Sequence, residues 1–404
     1  MPRLSMILIF PYLLSFLPRH CMRALAWVLG SSTYYIARHM RKTALSNITC
    51  AYPSLNEKHV RRMARRSFCH LALTLLEYGL LARKRGDVSS FATCLNPRQA
   101  TELEEKYGGI IYVSSHMANW EVPFIETNTR ARGIAVGRPL KSSKLTDWIN
   151  SIRSSTGGSI VSPREAMRTA KKELSSGTFF GFVGDQGLPE SSYSGPFIHR
   201  KAFSTTAPAL LAYKHSVPIV IAQTRRKGNK QIIWYTPPIF PDKTQPLKEE
   251  VIRLTDKVMY EIEHGILQAP EQWMWLHHRW KRPTKLNVLK EYRYETLLII
   301  YPDDPEELAQ LTEKSDFFRY LYPHHDISVL MPSHTPHSPV EGAKLYLYSS
   351  FSEMKIDSLA FKLVYDFTDH VQLRRYYRRR ACLHYLSIGE LAKANQIERR
   401  ACLH

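Results

Sequence analysis

The stretch Gly108-Gly109-Ile110-Ile111-Tyr112-Val113-Ser114-Ser115-His116-Met117-Ala118-Asn119-Trp120-Glu121 leaves the chain few options. Two glycines open a run of β-branched and aromatic residues, Ile110 to Val113, with the length and composition of a buried strand. Small polar residues close it, His116 follows, and a helix-compatible segment lies beyond. A histidine at the carboxyl end of a strand stands where open α/β sheets place their ligands. Glu121 would lie about 140° from His116 on one continuous helix, too far round to meet it. With His116 in the strand-to-helix turn and Glu121 in the first helical turn, the carboxylate can fold back onto the imidazole. It would then fix one tautomer and stabilise the imidazolium formed when the base takes a proton. A structural or surface histidine is the competing reading of these two residues alone. No Gly-x-Ser-x-Gly or Ser-x-x-Lys nucleophile box stands nearby. A base without its own nucleophile points to direct transfer to a substrate hydroxyl.

The 404 residues carry a net charge of +20, which calls for an anionic partner: nucleic acid, an anionic membrane or a phosphorylated substrate. Six cysteines without a C-x-x-C pair or zinc-like spacing fit a reduced cytosolic setting. Leu4 to Leu17 is almost wholly apolar but interrupted by Pro11, and it falls short of the roughly 20 residues of a spanning helix. With the second apolar patch, Ala24 to Gly30, it reads as a membrane anchor over residues 1–36, either interfacial or a helix extended through both patches. A buried core helix is the alternative. Arg38, Arg41 and Lys42 would hold that side in the cytoplasm.

From Glu57 to Tyr78 the periodicity is helical, with Arg61, Arg62, Arg65 and Arg66 away from the apolar face. Strands are expected at Gly133–Gly137, Ser159–Val161, Thr178–Gly184 and Pro218–Gln223, with a hairpin running on to Tyr235. Helices are expected at Lys144–Arg153, Arg164–Leu174 and Lys248–Leu267. This alternation predicts an α/β fold with a mainly parallel central sheet covered by helices. Asp185 and Gln186 then fall on the same sheet edge as His116; Asp185 is a turn former or a substrate contact. Arg153, at a helix end, balances the helix dipole or serves a site. Trp273, Trp275 and Trp280, beside His277, His278, Arg279 and Lys281, could stack on bases or sit at the headgroup level of a membrane, and the apolar N-terminus favours the second. Residues 286–404 read as a small C-terminal α/β appendage of unknown role, with Arg379–His384 repeated at Arg399–His404.

The His-four-residues-Glu box resembles that of the glycerophosphate and lipid A acyltransferases, and the residues around it resemble the late (lauroyl or myristoyl type) acyltransferases of lipid A biosynthesis. Asn47, Ala51-Tyr52-Pro53, Ile152-Arg153 with Gly157-Gly158, Val183-Gly184-Asp185-Gln186, Gly195-Pro196-Phe197 and Pro270 to Lys281 extend the likeness over roughly residues 1–285. The resemblance implies a glycerolipid-acyltransferase-like fold at 37–285 and an enzyme on the cytoplasmic face of the inner membrane. It implies His116 and Glu121 as the catalytic pair, with Arg153, Asn119, Asp185 and Gln186 binding substrate. The donor would be an acyl-acyl carrier protein and the acceptor a phosphorylated glycolipid, on an anionic leaflet, with no metal or organic cofactor and no nucleic acid. An acyltransferase for another glycolipid or a lysophospholipid, or a basic nucleic-acid-binding protein, are the alternatives. Ala118 stands where that family usually has glycine, and Ile198-His199 replaces the usual Phe-Gly.

Overall fold

The computed structural model describes residues 6–187, 193–285, 288–335 and 337–387. The second copy of the C-terminal hexapeptide repeat and the first two residues of the apolar start, Leu4 and Ser5, lie outside them. The chain divides into two compact units, 1–36 with 63–274, and 37–62 with 275–404. In order, the helices and strands through the first sheet are α1 (Met6–Leu14), α2 (Arg19–Ile36), α3 (Arg38–Ala51), α4 (Glu57–Arg83), β1 (Ala92–Cys94), α5 (Pro97–Tyr107), β2 (Ile111–Ser114), α6 (Glu121–Thr127), β3 (Gly133–Val136), α7 (Ser143–Arg153), β4 (Ser159–Val161), α8 (Pro163–Glu173), β5 (Phe179–Val183), β6 (Tyr193–Phe197), β7 (Arg200–Ser204), α9 (Ala207–His215), β8 (Ile219–Lys227), β9 (Lys230–Tyr235) and α10 (Leu247–Leu267). There follow β10 (Thr296–Ile300), α11 (Pro305–Glu313), α12 (Asp316–Leu321), β11 (Asp326–Pro332), β12 (Lys344–Tyr348), β13 (Leu363–Asp366), α13 (Val371–Arg379) and β14 (His384–Ser387).

The first unit holds a seven-stranded sheet in the order β1-β9-β8-β2-β5-β3-β4. All its pairings are parallel except the β8–β9 hairpin. The expected β-branched run is β2, central and buried at every position, as a strand covered on both faces must be. It lies between β5 and β8, so its carboxyl end opens beside that of β5. Helix starts are locally encoded: Ser142 caps α7 by accepting from Leu145 N, and Ser162 with Glu165 forms a capping box on α8.

The apolar N-terminus does not run as one helix. α1 ends before Pro18 and α2 begins at Arg19, and among the described residues no helix is long and apolar enough to cross a membrane. Met22, Ala26, Gly30 and Tyr34 of α2 repeat every four residues and bury one stripe in the unit's core beside Leu73 and Leu76 of α4. The other stripe leaves Val28, Tyr35 and Ile36 exposed, as α1 leaves Leu13. The tryptophans expected at a headgroup belt are instead wholly buried. In the first unit the Trp273 indole N–H has an acceptor inside the protein, and in the second Trp275 stacks on Trp280 with ring centroids 6.1 Å apart. An indole whose N–H is satisfied internally has no reason to seek an interface.

The second unit carries a five-stranded, wholly parallel sheet, β12-β11-β10-β13-β14. Alternate residues feed two cores: Leu297 and Ile299 enter one, Leu298 and Ile300 the other. Asn47 donates to the carbonyls of Trp275 (2.9 Å) and His277 (2.7 Å) and accepts from the buried Lys362 (2.7 Å), whose ammonium pairs with Glu295. That motif asparagine is therefore a fastener of the unit.

Gly30 lets α2 ride directly on α4, since a Cβ there would stand 2.4 Å from Cys69 Cα. Gly30→Val should lower unfolding free energy by about 1–3 kcal/mol, the range of core overpacking. Val28→Ala, exposed on the same helix, should change it by less than about 0.5 kcal/mol. Urea denaturation followed by circular dichroism distinguishes the two; equal effects would mean that α2 does not pack this way.

Candidate active site

After β2 the backbone turns through Ser115 to Trp120 before α6 begins. Three backbone contacts fasten this turn to the segment after α10: Ala118 N to Gln272 O (3.0 Å), Met274 N to His116 O (3.2 Å) and a bridge between Met117 and Trp273. Ala118 sits at φ +50°, in the left-handed region. A glycine takes that conformation without strain, which accounts for the glycine that the resemblance implies at this position. The same explanation holds for the β6–β7 turn, where Ile198 (φ +45°) and His199 (φ +59°) both have positive φ.

The carboxylate that meets the His116 ring is that of Asp185. Ser114 of β2 pairs with Val183 of β5, so the residues two beyond each face one another across the sheet edge. His116 Nδ1 lies 2.7 Å from Asp185 Oδ1. The His116 backbone N–H donates to Asp185 Oδ2 (2.9 Å), as does the Trp273 indole (2.7 Å). Gln186 Nε2 approaches His116 Nδ1 at 3.3 Å. Asp185 is fully buried, and a buried carboxylate is tolerable only with such donors around it. The Trp120 ring meets His116 edge-on at 5.1 Å.

The expected partnership of Glu121 with His116 is replaced by another. Glu121 opens α6, and its oxygens receive Arg153 Nε and Nη2, each at 2.6 Å, and the Tyr78 hydroxyl at 2.6 Å. A fork of this kind satisfies the carboxylate, leaving no hydrogen bond between Glu121 and the imidazole. Burial pushes the Glu121 carboxyl up, but Arg153 and Tyr78 together pull it below its ordinary value. Burial likewise lowers Arg153 and Glu121 more than restores it, so it stays cationic. The third guanidinium nitrogen, Nη1, makes no hydrogen bond among the described residues. Asn119 is turned inward: its amide donates to Glu77 (3.1 Å), its carbonyl accepts from Glu121 N (3.2 Å), and it lines no cavity described here. Tyr78 and Trp273 also belong to the site: Trp273 lies in the Pro270 to Lys281 stretch, whereas nothing in the immediate sequence of Tyr78 marks it.

Two adjoining cavities open here. The larger, about 1310 Å³, is lined by His116, Gln186, Arg153 and Arg138 among others. The smaller, about 550 Å³, runs between Phe124, Phe179, Phe182 and Ala222, with Glu121 and Arg153 at one side. Trp120, Val136, Gly137, Arg153, Phe182 and Val183 line both, so an apolar slot continues from the polar mouth that holds the histidine. The slot is within the size range of small-molecule sites, and the mouth is roomier.

The protein family described as bacterial lipid A biosynthesis acyltransferase matches residues 3–282. A relative from Escherichia coli (strain K12), named lipid A biosynthesis lauroyltransferase, is 23% identical over 258 residues, covering 63% of this chain and 83% of its own.

Glu121 and Glu77 are both held below their ordinary carboxyl value by neighbouring arginines against the opposing effect of burial. A depressed folded-state pKa contributes stability above the unfolded value and loses it as pH falls through the folded one. The melting temperature should therefore hold down to about pH 5 and decline below it. Glu121→Gln, which strands Arg153, should cost about 3–5 kcal/mol near neutrality and flatten part of the acid decline. Melts of both proteins across that pH range test this; parallel curves would exclude Glu121 as a contributor.

Proposed function

This chain belongs to the bacterial lipid A biosynthesis acyltransferase family and is an O-acyltransferase, and from that premise we propose that it moves a fatty acyl chain from an acyl thioester on acyl carrier protein to a hydroxyl of a phosphorylated lipid A precursor, with His116 as general base. The observation that carries this reading is the His116–Asp185 pair at the mouth of an apolar slot. Asp185 holds Nδ1, so Nε2 is the nitrogen that receives the acceptor's proton.

As the proton leaves, the alkoxide oxygen attacks the thioester carbonyl and a tetrahedral oxyanion forms. Asp185 supports the imidazolium through this step. Collapse breaks the carbon–sulfur bond, and the departing thiolate takes the proton back from His116. Arg153, fixed by Glu121 and lining both cavities, directs Nη1 at developing negative charge on the oxyanion or at a phosphate of the acceptor. Glu121 is thus a positioning residue for Arg153, and Asp185 takes the orienting role toward the imidazole. The acyl chain lies in the slot between Phe124, Phe179 and Phe182. The exposed apolar residues of α1 and α2 and the surplus of basic residues support attachment to the cytoplasmic face of an anionic inner membrane.

Purified protein given acyl-acyl carrier protein and a phosphorylated glucosamine disaccharide lipid should form the more highly acylated product, read by mass spectrometry. His116→Ala should reduce the rate by about 10²–10⁴, the contribution of a general base. Asp185→Asn should lower kcat with KM for the acceptor little changed, whereas Asn119→Ala should act mainly through stability. Transfer at the parent rate by His116→Ala removes the assignment.

A further inference from the structure

The first unit contains another cleft, about 650 Å³, which shares no lining residue with the two cavities around His116. Arg23 and Trp27 reach it from α2, Arg66 and His70 from α4, Arg226 from β8, and Glu271 stands at its side. Its cations are poorly matched. Arg226 is 8% exposed, and its Nη2 donates to Glu77 and Thr74, each at 2.7 Å. Glu77, however, is shared with Arg19 (3.1 Å), and Arg226 Nε has no hydrogen-bond partner among the described residues. Arg23 lies over the Trp27 ring at 5.4 Å, and Arg66 stays 3.8 Å from Glu271. His70 adds no charge: burial, then Arg226, Arg23 and Arg66, push its pKa down to about 3. Three guanidiniums thus line the cleft against one carboxylate, Glu271, with Glu77 behind it shared between Arg226 and Arg19.

We propose that this cleft binds the phosphate group of a lipid, at a site separate from the acyl-transfer centre. Guanidinium forks match phosphate oxygens two at a time, and a bound phosphate offsets the surplus positive charge of the cleft. A lipid rather than free phosphate is favoured because the same two helices expose Val28, Tyr35 and Leu75, an apolar margin suited to acyl chains. The phosphate could belong to an anionic phospholipid of the leaflet or to the glycolipid acceptor itself; the chemistry is shared.

Calorimetric titration of the full chain with inorganic phosphate, dihexanoyl phosphatidylglycerol and glucosamine 1-phosphate tests the proposal. At least one organic phosphate should bind more tightly than inorganic phosphate. Tighter binding of the phospholipid identifies the leaflet as source, and tighter binding of the amino-sugar phosphate identifies the acceptor. Arg23→Gln with Arg66→Gln, both exposed and therefore compatible with folding, should weaken binding by about tenfold or more. His116→Ala, which would lose transfer, should keep it, so the two readings fail separately. Undiminished binding by the double arginine variant with a parental melting curve, or no preference for either organic phosphate, overturns the proposal.

Discussion

Asp185 is the constraint on which the candidate site at the sheet edge depends. A carboxylate with no solvent contact needs donors, and it draws three of them from two parts of the chain: the His116 ring, the His116 backbone and the Trp273 indole. Satisfying that one acid therefore sets the ring orientation of His116, the shape of the turn that carries it, and the position of the segment bonded to that turn. The parallel pairing of β2 with β5 makes this possible, because matched strand ends deliver His116 and Asp185 to the same place.

A second layer of ionic contacts supports the first. Glu121 gathers Tyr78 from α4 and Arg153 from α7, and Glu77 gathers Arg19, Asn119 and Arg226. Both acids are buried, and each owes its charge to arginines that would themselves be costly to leave unpaired. The turn from His116 to Glu121 is thus held at one end by Asp185 and at the other by this double network. The arginine at the throat of the slot is fixed in place through two of its nitrogens.

Much of this was legible in residue order. The strand before His116, the helix ending at Arg153 and the strand ending before Asp185 follow from periodicity and glycine placement, and the structure has each within a residue or two. What local pattern could not supply was partner choice. Glu121 is near His116 in sequence yet reaches an arginine 32 residues on, while the histidine takes an acid 69 residues away. Those pairings arise from sheet register and helix packing, neither of which leaves a local trace. The tryptophans misled for a related reason: an indole beside basic residues resembles an interfacial belt until its N–H is found to have an internal acceptor. The expected glycines replaced here by Ala118 and His199 were visible as departures, and their meaning became clear once the left-handed backbone was seen.

Arg19, the first residue of α2, contributes to Glu77 the second of its two cations, and Glu77 also holds the amide of Asn119. Trimming the N-terminus to obtain a more tractable protein is for that reason not a neutral operation. A cut placed before Arg19 would remove α1 together with the two Ser15 acceptors of Arg83, whereas one placed within α2 would in addition leave a sequestered acid short of charge beneath the His116 turn. The boundary of a usable shortened enzyme is thus set by polar contacts to α4 as well as by hydropathy.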